Sequence, residues 1–198
     1  MTDVKKPRGS GRERIFRAAV EVLMESGLEA AQTRSVTERA GVGTGLLNHY
    51  FRWPVLRAAA WEAVFEDAPA DIRRADETPR AAIGRFMAEA FAPEARLYWR
   101  LWIDAERLAP HDPPIAEALD RIRTQLRSAL TRLLADGVSA GDWQLPDPAA
   151  TALRLDALRD GLAGLILAGD PAMNADKARQ HLEALFAMEC RLNDIQKS

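Results

Sequence analysis

The polar residues that could do chemistry are concentrated between Thr33 and Phe51. Thr44, Asn48 and His49 recur at helical spacing, so a helix over this stretch would carry them on its outer face. An Asn amide can pair with the edge of a base, and a Thr hydroxyl can reach a base or a phosphate. Gly45 beside them would allow the backbone to approach a ligand closely. The residue types therefore predict contacts with nucleic acid.

Two short helices joined by a tight turn are needed to position these side chains. The spacing predicts one helix from about Arg34 to Ala40 and a second ending at Tyr50, with Gly41 supplying a positive φ between them. Four apolar residues are spaced to form the seam between the helices: Val36, Ala40, Val42 and Leu47. This layout is typical of a helix-turn-helix, whose second helix enters the major groove. An αα-hairpin that merely packs remains the alternative.

The start of the motif adds two candidates. Thr33 is predicted to cap the first helix, because Thr is a favoured N-cap residue. Arg34 beside it is placed to contact a phosphate.

Charge is distributed unevenly along the chain. Residues 1–60 contain 10 Lys and Arg against 6 Asp and Glu, a net charge of +4. Residues 61–198 contain 17 against 23, a net charge of −6. A basic head on an acidic body favours a nucleic-acid-binding unit joined to a unit with another role.

Several classes of protein are disfavoured by the composition. Cys190 is the only cysteine, so neither an intrachain disulfide nor a thiolate metal cluster can form. The apolar stretch after the basic start is interrupted by Arg17 and Glu21, unlike a signal peptide, and no window is apolar enough to span a membrane. We expect a cytoplasmic protein without metal or cofactor.

Enzymatic motifs are also missing from the sequence. The three histidines, His49, His111 and His181, are far apart and match no nucleophile or metal spacing. The sequence predicts that the chain is not an enzyme.

Apolar residues recur with a helical period from end to end, and sustained strand alternation is absent. The prediction is an all-α fold of about nine helices. We divide it into a basic arm (1–11), a three-helix DNA-binding domain (12–57) and a helical effector-binding and dimerisation domain (58–198). The helix that Pro54 opens is expected to reach about Arg74, and a later long helix is expected to close near Gly137.

The region from about Arg12 to Val64 resembles the TetR family of DNA-binding regulators. The resemblance lies in Arg14-Ile-Phe-Arg-Ala-Ala-Val, Gly27 and the run from Ala40 to Phe51, and Gly43-Thr-Gly-Leu-Leu-Asn-His-Tyr-Phe-Arg52 is most similar to the betaine-choline operon repressor branch. It implies an all-α homodimeric repressor that reads a palindromic double-stranded operator and is released by a small molecule. The implied DNA-contacting set, with the candidates above, is Thr33, Arg34, Thr44, Gly45, Leu46, Asn48, His49, Tyr50 and Arg52.

The sequence departs from the family pattern after Phe51. Arg52-Trp53-Pro54 lacks the Lys that in the family touches a phosphate, and Arg52 or Arg57 is the candidate substitute. This departure leaves a rival interpretation, a helical adaptor for protein partners with a vestigial helix-turn-helix.

An effector pocket and a dimer interface are predicted in the C-terminal region. The candidate pocket is aromatic and suits a cation such as a quaternary ammonium, although the same residues could simply be core: Trp61, Phe65, Phe86, Phe91, Tyr98, Trp99 and Trp102. The candidate dimer seam is a stripe of large apolar residues for which intradomain core is also the alternative: Leu155, Leu158, Leu162, Leu165, Leu182, Leu185 and Phe186.

Overall fold

The computed structural model describes residues 10–195, with side chains as far as Cys190, and the regular elements in that range are all helical. Ten α-helices are found there, nine of them longer than a single turn. The prediction of an all-α chain with about nine helices is confirmed. The predicted basic arm lies, up to residue 9, outside the described residues. None of the helices in the described range combines the length and apolar character that a bilayer crossing requires.

The chain forms two compact units. Among the described residues, the first unit comprises 10–66 together with 104–120, and the second comprises 67–103 together with 121–195. Four helices lie wholly in the first unit: α1 (Gly11–Ser26), α2 (Thr33–Ala40), α3 (Thr44–Tyr50) and α4 (Trp53–Phe65). Helix α1 packs against the other three. Its start is fixed by a capping box, in which Ser10 Oγ accepts from the Glu13 N–H and Glu13 accepts from the Ser10 N–H.

Helix α4 is shorter than predicted. It ends at Phe65 and not near Arg74, and a separate single turn, α5 (Ala68–Asp71), follows in the second unit. Pro69 explains the break, because a proline inside a helix removes one hydrogen bond and clashes with the carbonyl four residues earlier.

Residues 104–120 complete the first unit. They include the end of α7 (Ala95–Leu108), a 3₁₀ turn at Ala109–His111 and the start of α8 (Pro113–Ser139). Arg57 of α4 forms an ion pair with Asp112, and Asp112 Oδ1 also accepts from the Ile115 N–H at 3.3 Å. The predicted division after Arg57 therefore falls inside α4, on a residue tied to a distant part of the chain.

The second unit contains α5, α6 (Pro79–Glu89), α9 (Pro148–Ala168) and α10 (Ala175–Ile195), with the remaining parts of α7 and α8. Helix α10 packs against both α9 and α6. Side-chain oxygens cap the starts of two of these helices. Thr78 Oγ1 accepts from the Ala81 N–H at 3.2 Å, and Asp147 Oδ1 accepts from two N–H groups at 3.0 Å at the start of α9.

Helix α8 ends at Ser139, close to the predicted end near Gly137, and the chain turns at Gly141, where φ is +75°. Gly137 itself is covered by the indole ring of Trp143, and a Cβ placed on Gly137 would lie 1.9 Å from Trp143 Cζ2. The glycine provides room for a ring.

Helices α9 and α10 are joined by a buried polar contact. Glu189 accepts from Thr151 Oγ1 at 2.7 Å and from Arg154 Nε at 2.6 Å, and its side chain is almost wholly buried. The Arg154 hydrogen bond is the main cause of a lowered pKa of Glu189, so the carboxylate is held in its charged form. This contact fixes the register of the two helices.

A second ion pair predicts how stability depends on pH. Arg85 Nε and Nη2 donate to Glu77 at 2.7 and 2.8 Å, and these bonds, with the Arg74 N–H, lower the pKa of Glu77 to about 2. A lowered carboxyl pKa contributes stability that is present above the unfolded pKa, about 4.5, and is lost as the pH falls toward 2. At neutral pH, urea denaturation should therefore give a larger free energy of unfolding for wild type than for Glu77→Gln. The difference between the two free energies should vanish as the pH falls from about 4.5 toward 2. The exposed Glu183→Gln variant is the control, and a difference that persists at pH about 2 would contradict the prediction.

Candidate nucleic-acid interface

The turn between α2 and α3 has the predicted geometry. Gly41 ends α2 in the left-handed region at φ 63° and ψ 43°. Its N–H donates to the Glu38 carbonyl at 3.3 Å, and the Val42 N–H donates to the Thr37 carbonyl at 3.1 Å. These bonds satisfy carbonyls at the end of the helix. The prediction that Gly41 supplies the positive φ is confirmed.

The seam between the two helices is also as predicted. Val36 and Leu47 are completely buried, Ala40 is nearly so, and Val42 is half-buried. Burial of Leu47 fixes the rotation of the short helix α3, because every other side chain of the helix must then point elsewhere. The exposed residues of α3 are Thr44, Gly45, Leu46, Asn48, His49 and Tyr50.

The outer surface of α3 is open at its N-terminal end. Gly43 is the N-cap without a side-chain bond, and a Cβ added at Gly43 or at Gly45 would meet no atom within 4 Å. At the other end the start of α1 is close by, since a Cβ on Gly11 would lie 3.3 Å from both Leu46 and Tyr50. The helix is therefore free for contact along Thr44, Gly45 and Asn48 and supported at its C-terminal end.

The start of α2 differs from the prediction. The N-cap is Gln32, whose side chain makes no capping bond, and Thr33 is the half-buried first residue of the helix. Thr33 is therefore not the cap. Arg34 is fully exposed but donates from Nε to Glu38 at 2.8 Å, and this bond raises the pKa of Arg34. A phosphate would compete with Glu38 for that guanidinium.

Of the two arginines proposed to replace the missing Lys, only one is exposed. Arg52 is the exposed N-cap residue of α4. Arg57 is largely buried in its ion pair with Asp112. Arg52 is thus the remaining candidate for that phosphate contact.

The aromatic residues predicted to form an effector pocket are divided between the units. Trp61 and Phe65 are buried in the first unit, with ring centroids 4.6 Å apart. The other five belong to the second unit, and there the rings of Phe91 and Trp99 stack at 6.4 Å. Tyr98 is 43% exposed.

The residues predicted to form the dimer interface differ in how deeply they are buried. Leu155, Leu162 and Leu182 are buried in the core of the second unit, so they offer no surface to a partner. Leu158, Leu185 and Phe186 are partly buried against that core, and Leu165 is 41% exposed. Regular spacing could not separate these cases, because both helices also bury a face within the chain.

Three charged residues of the second unit were missed by the sequence interpretation. Arg127, Asp156 and Arg159 lie on α8 and α9, and Asp156 binds both arginines. Isolated charges at helical spacing are typical of a solvated face, so no local signal marks them as a cluster.

Comparison with known proteins agrees with this fold. Residues 15–52 match the model of bacterial regulatory proteins of the tetR family, and residues 79–191 match that of the BetI-type transcriptional repressor C-terminal domain. The chain is 28% identical to the HTH-type transcriptional regulator PksA of Bacillus subtilis, covering 91% of this chain and 92% of that protein.

Solved structures share the fold at lower identity. A TetR transcription regulator from Haloarcula marismortui is 19% identical with a TM-score of 0.73, over 88% of this chain and 95% of that one. A protein from Saccharomonospora viridis, described as a transcriptional regulator in complex with choline, is 19% identical with a TM-score of 0.73, over 89% of this chain and 95% of that one.

These matches decide between the classes of function. The matched families and the curated relative are transcriptional regulators, so the prediction that the chain is not an enzyme is confirmed. The chain belongs to the TetR family of DNA-binding transcriptional regulators, with a C-terminal region of the BetI repressor type.

Proposed function

We propose that this TetR-family regulator is a homodimeric repressor that binds a palindromic operator through α3 and releases it when a small molecule binds the second unit. The observation that carries the proposal is the exposed polar face of α3, held in place by the buried side chain of Leu47. Thr44, Gly45 and Asn48 would meet base edges, and the flanking polar groups would meet the backbone.

Phosphate contacts are assigned to arginines that solvent can reach. Arg52 lies one residue beyond Phe51, which follows α3 directly, and Arg34 is at the start of α2. Each phosphate neutralised by such a side chain adds to the salt dependence of binding. Arg34 would exchange Glu38 for a phosphate, so its contribution should be smaller than that of Arg52.

The dimer partner is proposed to be a second copy of this chain seated on α9 and α10. Leu153 and Leu165 on α9 and Met188 on α10 are 48%, 41% and 58% exposed. Small exposed residues lie at helical spacing between and around them: Ala157, Gly161, Ala168 and Ala184. Such residues allow helices to approach closely, and a palindromic operator requires a two-fold related protein.

Asn48→Ala is expected to weaken operator binding by about 1–3 kcal/mol, because a bidentate contact to a base is lost. The far-UV circular dichroism spectrum should not change, since Asn48 is exposed. The measurement is fluorescence anisotropy with labelled DNA that flanks the protein's own gene.

Arg52→Ala is the matched comparison. It should weaken binding to every sequence and reduce the slope of log affinity against log salt by about one. Unchanged affinity in Asn48→Ala would show that Asn48 reads no base. Weak, salt-labile binding of wild type without sequence preference would contradict operator recognition itself.

A further inference from the structure

A cluster in the second unit joins two arginines, one carboxylate and two aromatic rings. Asp156 Oδ1 accepts from Arg159 Nη2 at 3.0 Å, and Asp156 Oδ2 accepts from Arg127 Nη2 at 3.5 Å. The carboxylate is buried, with 8% of its side chain exposed. Two guanidinium groups thus share a single carboxylate, although each could occupy both of its oxygens.

Both arginines keep a buried donor without an acceptor. Arg127 Nε and Arg159 Nε are closed off from water and form no hydrogen bond. Arg85, in the same unit and as buried as Arg159, gives the contrast. Its Nε donates to Glu77, and its Nη2 donates to Glu77 and to the Asp71 carbonyl at 2.6 Å. A buried N–H without an acceptor is costly, so Arg127 and Arg159 each keep a donor that their pairing with Asp156 does not use.

Aromatic rings fix the position of one of these guanidinium groups. The Arg159 Cζ atom lies 4.9 Å from the centre of the Phe86 ring and 5.1 Å from that of Trp99. Trp99 is held in turn by its Nε1–H, which donates to the Ala90 carbonyl at 2.6 Å. The faces that a cationic ligand would use are therefore already turned toward a cation of the protein.

Unsatisfied guanidinium donors and aromatic rings thus lie together in the second unit, the two chemistries that an anion with an apolar body requires. A carboxylate could accept from the unsatisfied Nε–H donors. An apolar ring or chain could pack against Trp99, which is half-buried beside the buried rings of Phe86 and Phe91. Asp160, the next acidic residue on α9, has an interaction partner already. Because both Nε atoms are shielded, the arginines must shift when an anion enters, and such a shift would link binding to a change in α8 and α9.

We infer that the effector is an organic carboxylate bound through Arg127 and Arg159, and not a quaternary ammonium. The inference rests on the proposed effector-controlled function. The aromatic residues alone had indicated a cationic effector. Arg127 of α8 and Arg159 of α9 are positively charged, so the structure favours an anionic effector.

The test uses the full-length protein with benzoate and phenylacetate, their uncharged amides and choline. In thermal denaturation the carboxylates should raise the melting temperature, and the amides and choline should not. In calorimetry Arg159→Gln and Arg127→Gln should each weaken carboxylate binding at least about 10-fold, since a charge-assisted bond is lost. Arg179→Gln, an exposed arginine on α10 paired with Glu183, is the control and should bind as wild type. Arg127 is more exposed than Arg159, so Arg127→Gln should still fold and test the site if Arg159→Gln unfolds.

Three results would overturn the inference: stabilisation by choline, equal stabilisation by the amides, or no effect of either carboxylate on wild type. Operator binding is measured in parallel. A protein that binds the operator but ignores carboxylates refutes the anion site alone. A protein that binds carboxylates but no operator refutes the proposed function and leaves the anion site standing.

Discussion

Replacing Gly137 by alanine is expected to lower the free energy of unfolding by about 3 kcal/mol, at the upper end of the cost of overpacking a core. The new Cβ would lie 1.9, 2.2 and 2.4 Å from three atoms of the Trp143 ring. The ring cannot simply move away. The Trp143 Nε1–H donates to the Leu134 carbonyl at 2.9 Å. The Trp143 and Phe186 rings are in T-shaped contact, with their centroids 5.3 Å apart.

Gly84→Ala is the matched control, since Gly84 also lies inside a helix, α6, but a Cβ there would meet no atom within 4 Å. That variant should be more stable than wild type by about 0.5–1 kcal/mol, the helix-propensity gain alone. Urea denaturation of both variants measures the contrast. The Gly137→Ala, Trp143→Ala double variant should lose less free energy of unfolding than the sum of the losses in the two single variants. Equal behaviour of the two glycine variants would show that the indole does not need the space.

Leu165→Glu is expected to convert the proposed dimer to monomer and to weaken operator binding more than about 100-fold. In a two-fold interface one substitution acts in both copies, and burying an unpaired carboxylate costs several kcal/mol. Leu165 is exposed in the single chain, so the fold of the second unit should be preserved. Analytical ultracentrifugation gives the oligomeric state, and anisotropy gives the operator affinity.

Val138→Glu provides the control for this prediction. Val138 is an exposed apolar residue of the same unit, but it lies on α8, outside the proposed α9–α10 surface. The Val138→Glu variant should remain dimeric and bind the operator with the affinity of wild type. If Leu165→Glu also remains dimeric, the second copy is seated elsewhere.

The helix-turn-helix was predictable because its determinants are local. Gly41, the apolar seam and the polar outer face lie within some twenty residues, and burial of Leu47 decides which side chains of α3 are exposed. Helix starts at Thr78 and Asp147 are equally local, since a side-chain oxygen caps an N–H two or three residues away. The same run of residues also carried the resemblance to the family.

Features that depend on how the chain folds back on itself were decided only by the tertiary structure. The Trp143 ring covers Gly137, because the chain turns back after the end of α8. Among leucines with one spacing, Leu155 is core and Leu165 is exposed, since burial depends on which helices pack alongside.

The net charge could be read from the sequence, but the availability of individual charged side chains could not. The +4 of the first sixty residues is a sum over the sequence and needs no fold. Whether Arg52, Arg57 or Arg159 is available to a ligand depends on where the chain places Asp112 and Asp156, which the sequence alone does not give. The sequence by itself thus determined the fold class and the DNA-binding motif, whose contacts are short in sequence. The tertiary structure decided the exposed face of α9 and α10 and the arginine cluster, because both are made by helices that meet only after folding.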